Sequence, residues 1–459
     1  AFVRLGSNWS QQARLIADDS YFWEFFGRSV SVSGDNAFIG VPEADPVGYN
    51  SGKAYIFRRS GGAWAQQAML ISSNGGMFGH CVSVSGDTAL VAAPSANAVH
   101  VFVDSGSNWS QEAVLHTDDA VGGDFFGGSV LLSGDRALIG STWDTTPDGC
   151  QAGSAYVFVR SGSNWIQQAH LTAPAGAPYD YFGNSVCLDG DMALVAASGD
   201  DNPGIGGPGS AYVFTCSGTN WSEQAMLCNG ESAAWNRFGF SVSLFGDTAL
   251  IGAPYDDTPG GGSAGSAYVF TRSGGVWSQE ALLLAADGSP DDRFGYSVSI
   301  SGDSALIGSD GDDTPAGDYF GSAYVFRRTG TNWSQEAKLA SDDAAAGDVF
   351  GVSVSLDGDT GLVGAYGDPI GGSAYVFTRS GSNWLQQAKL TADDTAEGDE
   401  FGICVALSGE TALIGADGVD IGESGFDAGA AYVFVRSGTN WSQQAKLVRF
   451  TRHARGGGG

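Results

Sequence analysis

Basic residues are scarce in this chain: 21 lysines and arginines stand against 51 aspartates and glutamates in 459 residues, a formal net charge of −30. The deficit runs along the whole length, so a nucleic-acid partner is excluded by repulsion from its phosphates. No stretch approaches the roughly eighteen apolar residues that a bilayer span needs, and no membrane insertion is expected. The opening AFVRLGSNWSQQ lacks a charged start followed by an apolar run. A soluble chain is expected, with any signal peptide already removed. Histidine is rare: His80, His100, His116, His170 and His453 occupy unrelated places, and no HExxH occurs. That argues against a zinc site or a histidine-centred triad. The six cysteines, Cys81, Cys150, Cys187, Cys216, Cys228 and Cys404, show no metal-knuckle spacing. A chain of this size does not need covalent staples, and most read as small buried hydrophobes. A Cys216–Cys228 pair stays open.

Glycine is abundant, with 71 residues, beside 42% hydrophobic and 12% aromatic residues, a globular rather than disordered composition. Aligned on itself, the chain yields one unit: FGxSVSLSGDTALIGAP, a loop, GSAYVFxRSGxNWSQQAKL, and an acidic linker. The FG pairs begin at Phe26, Phe78, Phe126, Phe182, Phe238, Phe294, Phe350 and Phe401, spaced 48 to 56 residues apart. Repetition at this period overrules a domain count taken from length alone. Each unit holds four short segments of two-residue alternation, rich in Val, Ile, Tyr, Phe and Trp and bounded by Gly, Ser, Asn or Asp. In the fifth unit strands A to D are expected at 240–244, 249–253, 267–271 and from Trp277 to Leu283. The expected fold is all-β, an eight-bladed β-propeller of four-stranded antiparallel blades over 16–447. A linear β-solenoid is the alternative, but its rungs are usually much shorter.

The FG that opens each unit and the GAP-like end of strand B, as at Gly252-Ala253-Pro254, Val41-Pro42 and Ala93-Pro94, resemble FG-GAP repeats. These are the units of the integrin α-chain propeller and of many secreted bacterial proteins. The likeness covers 26–447 and implies a propeller fold, while one fold carries many functions. In integrins the B–C and D–A loops form the ligand-binding face. Integrin repeats also bind calcium in a DxDxDG-type loop between strands A and B. Here that connection is only Asp189-Gly190-Asp191 or Asp357-Gly358-Asp359, too short to wrap an ion, so the family's calcium site does not carry over.

Antiparallel order puts short A–B and C–D turns on one face, with arginines such as Arg160, Arg272, Arg379 and Arg436 before them. The long loops and most of the acid go to the other face, where a rigid scaffold would display recognition. The acidic candidates there are Asp118, Asp119, Asp124, Asp256, Asp257, Asp312, Asp313, Asp342, Asp343, Asp348, Asp393, Asp394 and Asp399. Closely spaced carboxylates suit calcium, with D–A aspartates of one unit and B–C aspartates of a neighbour sharing an ion. The plainer reading is that they cap turns and keep the disc soluble.

No catalytic pattern stands out, and the chain is not expected to be an enzyme. A GxSxG string at 261–265 and a GxGxxG string at 204–209 both precede strands, without the helix that either motif needs. Tryptophans at the start of strand D (Trp9, Trp64, Trp109, Trp165, Trp221, Trp277, Trp333, Trp384, Trp441) suit packing between blades or a sugar-stacking platform. Asn-Trp-Ser sequons begin at Asn8, Asn108, Asn220, Asn332 and Asn440.

Eight FG segments face nine strand-D segments, because 7–15 precedes the first FG while 439–447 completes the eighth unit. The surplus strand within 1–15, with Trp9 and Leu15, is free to add an edge, displace 439–447 or pair with another molecule. The tail 448–459 holds Arg449, Arg452 and Arg455, the only basic cluster. Such a tail suits docking on the acidic face of a second copy. The expectation is thus an extracellular or cell-surface, non-catalytic propeller whose partners are other protein subunits or itself. It would be adhesive or structural, with filaments built through its termini. A glycan-binding module on the acidic face, with or without calcium, is the alternative, and an enzyme using an acidic pair comes last.

Overall fold

The computed structural model describes residues 2–5, 8–11, 25–60, 63–106, 108–117, 122–200, 208–229, 236–313, 317–420 and 429–447, with only the backbone of 2–11. Eight four-stranded antiparallel sheets, each ordered A-B-C-D from one contiguous segment, are arranged as a β-propeller. In blade 5 the strands are Ser241–Phe245, Thr248–Ala253, Ser266–Ser273 and Val276–Leu283, within a residue or so of expectation. The one helical element among the described residues is a 3-10 turn, Pro94–Ala96, in the B–C connection of blade 2.

Burial follows position in the blade. Strand B of blade 5, TALIGA, is buried at every residue, because neighbouring blades cover both its faces. Strand D is buried only at Trp277 and Leu283, since it forms the outer edge. Eight apolar clusters each span two adjacent blades. One joins Leu250, Val269 and Leu283 of blade 5 to Phe294, Ile307 and Tyr324 of blade 6. Another joins Leu413 and Val433 of blade 8 to Phe26, Ile39 and Tyr55 of blade 1, closing the ring. The phenylalanine of each FG lies at these joints. Phe294 packs on Tyr324 and Phe326 of its own blade, with ring centroids 5.3 and 5.9 Å away. Its backbone bridges Gly265, before strand C of the previous blade, and Phe26 bridges Gly429 in the same way. Closure is therefore noncovalent and uses the ordinary joint.

The glycine of GAP has a steric reason. A Cβ on Gly252 would lie 2.0 Å from the carbonyl oxygen of Gly295, the FG glycine of the next blade. That carbonyl accepts from the Ser241 hydroxyl at 3.0 Å, and Ser297 does the same to Gly351 at 2.8 Å. Further along strand A, the next blade's N–H groups donate to serine: Leu356 to Ser299 and Gly358 to Ser301, both at 3.1 Å. The alternating serines of SVSLS thus satisfy the inner edge of the neighbouring sheet, which would otherwise be unpaired. Cys404 takes the serine's place at the closing joint, donating to Gly27 O at 3.1 Å.

The surplus strand is not solitary. β2 (Asn8–Gln11) pairs antiparallel with β1 (Phe2–Leu5), and the two form their own sheet. The register Arg4↔Trp9 and Leu5↔Asn8 repeats that of a C–D hairpin such as Arg160↔Trp165 and Ser161↔Asn164. Residues 2–11 therefore hold a hairpin of the C–D type. The tryptophan repeat marks β2 but not β1, whose FVRL lacks the GSAY that opens strand C in five of the blades. Leu15 lies outside the described residues.

Truncating Phe294 to Ala should remove about 3–5 kcal/mol of stability, by the cost of a large buried cavity. Ser299→Ala should cost about 1–2 kcal/mol by leaving Leu356 N–H without an acceptor. Chemical denaturation checks both; equal effects would contradict this account of the joint.

Candidate functional site

The sheet order places the B–C and D–A connections together on one face, as expected, but most of its candidate aspartates are occupied. Asp257 accepts from Ser263 N–H and Asp313 from Tyr319 N–H, at 2.9 and 2.7 Å, each tying its own loop. Asp348 and Asp399, both buried, accept from Ala345 N–H and Ala396 N–H at 2.7 and 2.8 Å. Asp124 is buried as well, and its carbonyl accepts from Trp143 N–H at 3.0 Å. Asp256 accepts from Ser266, Tyr268 and Asn236 at 2.5, 2.7 and 2.7 Å. Asp342 and Asp393 are exposed, and their N–H groups donate to Gln386 and Gln443. Asp118 and Asp119 lie outside the described residues.

The expected pairing of D–A with B–C carboxylates does occur, and a lysine sits between them. Lys338 Nζ is 2.6 Å from both Asp287 and Asp312. Lys389 Nζ is 2.5 Å from Asp343 and 2.6 Å from Asp368, and Lys446 Nζ is 2.8 Å from Asp394. Tyr324 and Tyr375 hydroxyls reach the same pairs. Burial raises Asp287, Asp343 and Asp368, but the lysine ammonium and neighbouring hydroxyls more than offset it, holding all three below the usual carboxylate range. Among the described residues no group of three or more His, Cys, Asp or Glu side chains is arranged to hold a metal ion.

A different set of residues comes together around the propeller axis, and it grows out of the FG joint. Each x-Phe-Gly-x′ closes a turn in which x′ N–H donates to the carbonyl of x, as Tyr296 does to Arg293 at 3.1 Å. Its glycine has a positive φ, +97° at Gly295, as a type II turn requires at that position. The residue x is also left-handed in every blade: Phe25, Met77, Phe125, Tyr181, Arg237, Arg293, Val349 and Glu400 have φ between 53° and 61°. Such a conformation is strained for bulky side chains. While Phe is buried in the joint, x and x′ stand where the innermost strands begin on the loop face. The x′ residues are Arg28, His80, Gly128, Asn184, Phe240, Tyr296, Val352 and Ile403.

This rim is unlike itself from blade to blade. Phe125 stacks on Trp143 with ring centroids 4.3 Å apart. Phe240 lies 5.0 Å from Tyr296, and Arg237 sits 5.3 Å over Tyr255. The Arg293 guanidinium is 5.8 Å from the Tyr296 ring and 5.5 Å from Tyr319. Arg293 Nε is 3.3 Å from Asp310 Oδ1, near enough for an ion pair but not aligned as a hydrogen bond, so that buried oxygen has no donor. On the far side Arg28 reaches Asp417 at 3.5 Å. Burial pushes Asp310 up to about 6 against the pull of Arg293, and also pushes Asp292 up to about 6. Burial lowers His80, and Arg28 adds to the effect.

A repeat alignment brings out the shared letters and hides the rim, which is built from variable ones. The signal was present in the two unrepeated letters flanking each FG.

The remaining candidates resolve differently. Tryptophans of strand D are inter-blade packing: Trp165 and Trp384 donate to Glu112 and Glu336 of the preceding blade at 3.1 and 3.0 Å. The Trp9 side chain is outside the description. Cys216 and Cys228 are both free, so they form no disulfide. The 261–265 string is a B–C turn between strands, and 204–207 of the other string is not described. Arg449, Arg452 and Arg455 also fall outside the described residues.

A carboxyl whose pKa is higher folded than unfolded binds its proton first in the folded state, so stability grows as pH falls from about 6 toward about 4. Asp292 and Asp310 act in that window, whereas the lysine-bridged carboxyls lose their contribution only below about pH 4. Tm should therefore rise between about pH 7.5 and 5, by less than the carboxyls alone would give because buried His80 and His100 act with the opposite sign, then fall in stronger acid. Asp292→Asn should raise Tm at the upper end and flatten the rise. Lys389→Met should cost about 1–3 kcal/mol by stranding the buried Asp368, while the half-exposed Asp343 turns to water. Thermal melts across pH check each; a wild-type Tm that only falls on acidification overturns the first.

The arrangement agrees with known proteins. Sqt1 of Saccharomyces cerevisiae superposes with a TM-score of 0.55 at 12% identity, covering 95% of this chain and 100% of that one. Apo AztD of Citrobacter koseri superposes with a TM-score of 0.53 at 10% identity, covering 91% and 95% respectively. Likeness at such identity concerns the fold alone. No curated protein matches the sequence. The FG-GAP repeat profile matches at 9–57, 109–158, 165–214, 221–270, 277–326, 333–377 and 384–434, passing over blade 2, with its 3-10 turn and His100 in place of the strand-C tyrosine. With seven matched repeats over most of its length, this chain belongs to the FG-GAP repeat family.

Proposed function

We propose that the chain is an extracellular, non-catalytic interaction module, an adhesive or structural surface component that presents the loop-face rim to another molecule. One observation carries this reading: eight nearly equivalent FG turns each bring two flanking residues to the loop-face rim, half-buried or exposed, and those pairs differ at every blade. A scaffold that needed only to fold could repeat one pair throughout. Left-handed backbone at bulky residues adds strain that folding alone gives no reason to keep. The family supports an extracellular setting, and no helix among the described residues is long and apolar enough to cross a membrane. The charge of −30 disfavours nucleic acid as partner. Lys338 and Lys389 bridge two carboxylate pairs that would otherwise suit a cation.

The terminal hairpin favours self-association as a second element of this role. Every C strand in the blades pairs with a B strand on one edge and a D strand on the other, whereas β1 pairs only with β2 among the described residues. An unpaired edge is a template for a strand of another copy, the route to filaments.

Oxidative footprinting should find Trp143, Tyr179 and Tyr319 protected in material from the natural source relative to the purified chain. Protection confined to the short-turn face would overturn the assignment of the working surface. Deleting 1–15 should abolish any polymers seen by electron microscopy; polymers unchanged by the deletion would remove the hairpin from assembly.

A further inference from the structure

We propose that the rim between blades 5 and 7 is a binding site for a neutral oligosaccharide, held by Arg293, Asp310, Tyr296 and Tyr319. This rests on the reading of the rim as the working surface and names its ligand class. Tyr319 is 49% exposed, so one ring is open for stacking. Its backbone is in the left-handed region at φ 55°, its N–H is tied to Asp313 at 2.7 Å, and Arg293 packs on its ring at 5.5 Å. Behind it, Arg293 lies between Tyr296 and Tyr319, with Nε 3.3 Å from Asp310 Oδ1. Asp310 is 3% exposed, yet Oδ1 accepts no hydrogen bond. A buried carboxylate oxygen without a donor is costly, and a ligand hydroxyl would relieve it.

The combination selects among ligand classes. A sugar ring offers an apolar C–H face to an aromatic ring and adjacent hydroxyls that donate to a carboxylate while accepting from a guanidinium. A cationic ligand would find the space between the tyrosines already filled by Arg293. An anionic glycan bearing sulfates or uronates would meet the field of a chain of net charge −30. Neutral glycans satisfy the donor, the acceptor and the ring together.

The test uses the full chain on an array of neutral and anionic glycans, followed by calorimetric titration of the strongest neutral hit. Tyr319→Ala and Asp310→Asn should each weaken binding by about tenfold or more. Tm measured beside the wild type shows that both variants are folded, and Phe245→Ala on the opposite face should bind normally. The proposal is overturned if no neutral glycan binds, if anionic glycans are preferred, or if both folded rim variants bind like the wild type. An array without neutral hits, together with footprint protection of the loop face in native material, would remove the sugar and leave the interaction reading standing.

Discussion

The joint between blades depends on how closely two backbones can approach. At six joints the FG glycine carbonyl of one blade comes so near strand B of the blade before it that a side chain there is sterically excluded, as at Gly252, while blades 2 and 4 carry Ala92 and Ala196 at that position. The rest follows from that approach. The type II turn swings Phe into the inter-blade core, where two strand-C aromatics receive it, and brings the carbonyl within reach of the serine hydroxyl. The same turn lifts its two flanking residues onto the loop face. Scaffold and display are products of one four-residue geometry, so the rim can vary without disturbing the ring.

Crowding at the axis also explains the serines. Innermost strands have a free edge, and there is no room for another strand to cover it. A hydroxyl on a short side chain supplies an acceptor in the least volume. Cysteine can replace serine at Cys404 because the thiol keeps the donor while tolerating burial, which pushes it up to about 12. On the other face, longer side chains tie the blades: Arg328 reaches Thr248 of the preceding blade at 3.2 Å. Between blades 3 and 4 the partners are exchanged. Arg136 stands at the threonine position and its guanidinium lies 5.7 Å over Trp221, while Cys216 fills the arginine position. The charge occupies the same place from the opposite side of the joint.

The acidity of the loop face is largely structural. Asp257, Asp313, Asp348 and Asp399 cap loops, and Lys338, Lys389 and Lys446 bridge or pair the aspartates closest to one another. Where strand D supplies no lysine, blade 5 uses Asn236 in place of the usual aspartate, and its amide donates to Asp256. These contacts satisfy those carboxylates from within the chain. Ordinary hydrogen bonding and ion pairing therefore account for many residues that, as letters, looked like a cation site.

The sequence alone determined the repeat, the strand alternation, the number of blades and the face that carries the long loops. Each of these is a local or periodic property, written again in every unit and therefore readable without knowing what touches what. Only the tertiary structure decided that Lys338 lies between Asp287 and Asp312, that Phe2–Leu5 pairs with the surplus strand, and that Arg293, Asp310 and Tyr319 meet. Those groupings join residues whose neighbours are set by the curvature of the ring and by the left-handed turn at each FG. Hydrogen bonds and stacking act over a few ångströms in space, and such proximity leaves no periodic mark in the chain.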